Sequence, residues 1–114
     1  MATVKINNKQ YQVPELGFKH SRLFEQMGVP VSGINSPNYF FSTVTAFIAI
    51  CVNCSTEQAE YLAEQHVMGG GDLQDIYLAY TKAIEASGFF KQLLANEEKK
   101  QKMNTKQSAP QKTE

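Results

Sequence analysis

The sequence has no net charge, no long apolar run and little cysteine. Its eleven Lys and Arg balance eleven Asp and Glu. No overall field draws it to nucleic acid or anionic lipid, and a strongly basic nucleic-acid binder is excluded. The longest apolar run, Ala46 to Val52, is seven residues, whereas crossing a bilayer takes about twenty. No membrane helix is expected. The two cysteines, Cys51 and Cys54, lie too close together to staple a fold and suit a reducing compartment. Met1-Ala2-Thr3-Val4-Lys5 lacks the basic segment and apolar stretch of a secretory signal, so the chain is expected to stay where it is made. What remains is 114 residues, 42% hydrophobic and 19% charged, enough for one folded domain and too few for two.

The charge is unevenly spread. Residues 1–96 carry six Lys or Arg against eight acids, and residues 97–114 five Lys against three acids. After Leu94 the chain is polar and Lys-rich, with Met103 its only large apolar residue, too little to offset the entropy of ordering. The division expected is a single helical domain over 1–96 and a disordered tail over 97–114. Within the domain, Val4, Ile6, Tyr11 and Val13 flank Asn7-Asn8-Lys9-Gln10 as two short strands around a polar turn. Leu23, Phe24 and Met27 give a first helix after Gly17, closed by Gly28, with a loop from Val29 to Asn35. Ser36-Pro37 starts the central helix, expected to run to Val52. Its apolar positions Phe40, Phe41, Val44, Phe47, Ile48, Cys51 and Val52 cover over half its circumference, with Ser42, Thr43 and Thr45 as the polar relief. Ser55-Thr56-Glu57-Gln58 is a capping box. The helix it opens has Ala59, Leu62, Ala63, His66 and Val67 on one stripe, and Gly69-Gly70-Gly71 ends it. Asp72 caps a fourth helix bearing Leu73, Ile76, Tyr77, Tyr80 and Ile84, which Gly88 is expected to close in the left-handed conformation; Phe89 to Leu94 begins a short fifth. The fold class expected is mainly α, a compact bundle of four to five helices with an N-terminal hairpin.

No motif carries catalytic chemistry. Cys51-Val52-Asn53-Cys54 sits at the C-terminal end of an apolar helix, where the dipole disfavours thiolate, and His20 and His66 are spaced unlike any common zinc site. Two buried, inert thiols are the expectation. Gly69-Gly70-Gly71-Asp72 follows a helix and lacks a lysine after it, so it reads as a break between antiparallel helices and not as a phosphate loop. His66 lies on an apolar stripe as a packing residue. Glu57, Glu60 and Glu64 lie opposite that stripe, where solvated charges belong. The expectations are accordingly no enzyme, no cofactor, no metal, no nucleic acid and no membrane. The aromatics are more informative: Tyr77, Tyr80, Phe89 and Phe90, beside Leu93 and Leu94, either close the core or form an apolar patch for another protein.

The hairpin Val4-Lys5-Ile6-Asn7-Asn8-Lys9-Gln10-Tyr11, Gly17-Phe18-Lys19, the central apolar helix, Glu64-Gln65-His66-Val67 with Gly70-Gly71, and Tyr77, Ala79 and Ala83-Ile84-Glu85-Ala86-Ser87-Gly88-Phe89-Phe90 resemble a group of phage proteins. These are the tail assembly chaperones of long, non-contractile-tailed phages of Gram-positive bacteria. The likeness covers about residues 3–94 and leaves the tail outside. It implies a non-enzymatic protein that keeps the tape measure protein soluble in the host cytoplasm during tail morphogenesis and is absent from the finished particle. It also implies a second partner, the tail-tube subunit, recruited by a frameshift-extended form, and leaves self-association open. The alternatives are a small helical adaptor or regulatory module of a bacterial or prophage system, and a CxxC-dependent metal or redox protein.

Overall fold

The computed structural model describes residues 2–99; the expectation of a disordered tail lies, from residue 100 onward, outside them. The fold is mainly α, a compact helical globule with an N-terminal hairpin. Strands β1 (Thr3–Ile6) and β2 (Lys9–Gln12) pair antiparallel with Val4 opposite Tyr11 and Ile6 opposite Lys9. Asn7 and Asn8 join them, both at positive φ (50° and 66°), the conformation a two-residue hairpin turn requires and asparagine tolerates. Val4 and Ile6 point into the core and anchor a hairpin too small to stand alone.

Helix α1 (Phe18–Gln26) starts after Gly17, whose amide N–H donates to Nδ1 of His20 at 2.9 Å. Gly28, at φ 84°, turns the chain out of it. The loop that follows contains a short 3-10 turn, Val31–Gly33. Ser36 then caps a second such turn, Pro37–Tyr39, accepting the Asn38 amide, and the chain runs on into α2 (Phe40–Val52). Asn53 ends α2 in the left-handed conformation. The Ser55 hydroxyl accepts the Gln58 amide at the start of α3 (Thr56–Met68), and the Asp72 carboxylate accepts the Gln74 amide at the start of α4 (Leu73–Ala86). Residues 88–99 form α5.

Helix α2 is the centre. It packs on α1, α3, α4 and β2, and every residue from Thr43 to Ala49 is buried. This corrects the expected division of its faces. Phe41 is 74% exposed, whereas Thr43 and Thr45 are buried. A helix covered on nearly all sides has no wet face for polar residues, and a threonine hydroxyl can turn to its own backbone. Thr45 does so, donating to the Phe41 carbonyl at 2.8 Å, while the Thr43 hydroxyl has no partner among the described residues. The α4–α5 junction also differs. Gly88 is not left-handed and does not close α4; Ser87 ends α4 in an extended conformation, and α5 begins at 88. The buried Ser87 hydroxyl accepts the Phe90 amide at 3.1 Å and donates to the Leu16 carbonyl at 2.7 Å. A second buried hydroxyl, Tyr80, donates to the Ile34 carbonyl at 2.7 Å. Both satisfy loop carbonyls that the core would otherwise leave unpaired.

Candidate functional site

Eight aromatic rings follow one another through the molecule. Phe41 contacts Phe40 (centroids 5.4 Å apart), Phe40 contacts Tyr77 (5.1 Å), and Tyr77 contacts Tyr80 (5.6 Å). From there the series continues to Phe24 (5.7 Å), Phe90 (6.2 Å), Phe89 (5.0 Å) and Phe18 (5.8 Å). Such spacings suit edge-to-face packing, and each pair adds about 1 kcal/mol beyond the area it buries. The middle of the series is core and its ends are surface: Phe41 is 74% and Phe18 68% exposed.

This arrangement divides the six residues expected to bind another protein. Tyr80 and Phe90 are fully buried and unavailable to a partner in this conformation. Packing removes them from the surface: Tyr80 is wedged between Phe24 and Phe47, and Phe90 against Phe24. Burial, with Tyr77 beside it, pushes the Tyr80 phenol well above its ordinary value, so it stays a hydrogen-bond donor. Tyr77, Phe89, Leu93 and Leu94 are half-buried, resting on the core with part of each side chain outside. They do not form one cluster of aromatic contacts. Tyr77 belongs with Phe40 and Phe41, and Phe89 with Phe18.

Sequence reasoning did not single out Phe18 and Phe41 as surface residues. Phe41 was placed on the buried circumference of α2. Phe18 had a usable signal: it is the first residue of α1, lying off the stripe of Leu23, Phe24 and Met27. Its neighbour could not have been inferred, because Phe89 comes from the far end of the domain. The Phe18 ring stands edge-on to Phe89 at an interplanar angle of 84°. Tyr61, Val67 and Met68 on α3 and Leu78 on α4 are further exposed apolar residues.

Both thiols, expected to be buried, are half-buried. Burial pushes Cys51 up to about 12 and Cys54 up as well, leaving little thiolate at neutral pH. Both cysteines are free. Cys51 lies on the wall of an open groove of about 760 Å³ with Val13, Pro14, Ile50 and Ala83. Among the described residues, no three His, Cys, Asp or Glu gather into a group that could hold a metal ion. The ring of His66 is buried and bonded through both nitrogens to main-chain groups, Asn7 N–H at 2.9 Å and the Asp72 carbonyl at 3.2 Å. It joins the hairpin turn to the α3–α4 turn. Among the described residues, no single helix is long and apolar enough to cross a membrane. No protein-family model, characterised protein or solved structure matches the chain.

Proposed function

We propose that this protein is a tail assembly chaperone, one that shields apolar helix faces of a tape measure protein in the host cytoplasm and makes or breaks no covalent bond. The observation that carries the reading is the exposed Phe18 ring set edge-on against Phe89. An exposed phenylalanine is costly in water and gives much contact area for little lost side-chain entropy, so Phe18 beside the half-buried Phe89 suits a partner with an apolar face. An amphipathic helix supplies such a face through residues at i, i+3, i+4 and i+7. Half-buried Leu93 and Leu94 extend apolar surface along α5, and Phe41 with Phe40 and Tyr77 offers a second contact point. The resemblance in the hairpin and in the segment around Ala83 to Phe90 supports the choice of partner.

The test is co-expression with fragments of a phage tape measure protein. Fragments insoluble alone become soluble and co-purify if the reading is right. If every fragment stays insoluble, the chaperone reading fails. An extended form of the chain that also retains the tail-tube subunit would bear out the second partner.

A further inference from the structure

We infer that His66 is a proton-operated latch that holds the hairpin turn against the α3–α4 turn. The ring is 8% exposed and lies between two main-chain groups of opposite character. The Asn7 N–H is a donor, so Nδ1 must present its lone pair at 2.9 Å. The Asp72 carbonyl is an acceptor, so Nε2 must carry the proton at 3.2 Å. Only the neutral imidazole protonated on Nε2 meets both demands. The ring has little room to turn away: a Cβ on Gly71 would lie 2.5 Å from Nε2, so the α3–α4 turn is closed directly over it.

Proton uptake breaks one of these bonds and keeps the other. Imidazolium carries hydrogen on both nitrogens. The Nε2–H bond to Asp72 survives, while the new Nδ1–H faces the Asn7 N–H, donor against donor. The hairpin turn is therefore released and the α3–α4 turn stays held. The charged groups lining the groove with His66 are Lys5 on β1 and Asp75 and Lys82 on α4; the groove, about 420 Å³, runs between β1 and α4. Loss of the bond to Nδ1 lowers the local stability of the turn at Asn7, while Val4 and Ile6 keep β1 seated and the helical core around α2 stays in place.

The experiment follows the Asn7 amide and the His66 ring by NMR on the full chain as the pH is lowered until the ring takes up a proton. Amide exchange is corrected for its intrinsic pH dependence. Protection of Asn7 should fall by up to about tenfold, the worth of one net hydrogen bond, in step with the His66 titration, while amides of α2 keep theirs. In His66→Gln the side-chain oxygen can still accept and the amide nitrogen still donate without titrating, so Asn7 protection should stay flat. Constant Asn7 protection in the wild type through the His66 titration overturns the latch, as does an equal loss in His66→Gln. If the variant does not fold, the wild-type titration decides alone.

Discussion

The hydroxyl of Ser87 donates to the carbonyl of Leu16 at 2.7 Å, a bond between residues 71 positions apart. Leu16 stands two residues before Phe18 and Ser87 two before Phe89, so this bond holds together the two segments that deliver the exposed ring and its neighbour. The same hydroxyl accepts the Phe90 amide and starts α5. One buried side chain thus joins the fold's core to its candidate binding surface.

Ser87→Ala removes a helix cap and strands a carbonyl in the core. It should destabilise the domain by about 1–3 kcal/mol, read as a lower urea midpoint. Loosening of the Phe18–Phe89 contact should accompany it, seen as lost nuclear Overhauser effects between the rings. An unchanged midpoint would mean that water replaces the hydroxyl at no cost.

Thr43→Val tests the unpartnered hydroxyl in α2. Thr43 is wholly buried and its Oγ1 has no partner among the described residues. Replacing it with a methyl of similar shape should leave stability unchanged or raise it by about 1 kcal/mol. A loss of stability in chemical denaturation would show that the hydroxyl is satisfied.

Stability should decline in mild acid through His20. Burial of the ring, with Lys19 beside it, holds its imidazole below the usual 6.5. The unfolded chain then binds the proton more readily than the folded one, so this contribution is complete above 6.5 and is lost as pH falls through 6.5 and the lower folded value. Protonation also turns Nδ1 into a donor facing the Gly17 N–H. Urea midpoints measured across this range should fall towards acid in the wild type, and less steeply in His20→Asn.

The thiols should be slow to react. With Cys51 raised to about 12 by burial and Cys54 raised too, alkylation of the folded protein by iodoacetamide at neutral pH should lag well behind that of the urea-unfolded chain, with Cys51 the slower of the two. Rapid labelling of Cys51 in the native state would contradict this.

Local rules served where partners are close in sequence. Ser36, Ser55 and Asp72 cap the turns and helices they precede, because each accepts an amide two or three residues on. Gly28 turns the chain at the end of α1 through its positive φ, which is also a local preference. The α4–α5 junction was misassigned because Ser87 takes its place from Leu16, a partner no local pattern reveals. The faces of α2 were misread because periodicity assigns one wet side, while this helix is enclosed from Thr43 to Ala49. The burial of the aromatic-rich segment was not legible: Tyr80 and Phe90 turn inward, and Phe18 joins Phe89 only through tertiary packing.

The most direct measurement of the central claim is recovery of a tape measure fragment co-purified with the wild type, Phe18→Asp and Phe41→Asp, each checked for unchanged helical content by circular dichroism. Both substituted side chains are largely exposed, so folding should survive. Capture by the wild type with a loss of about tenfold or more in Phe18→Asp, as expected for a central aromatic contact, is the result this account requires. Equal recovery with all three proteins, or none with the wild type, would contradict it.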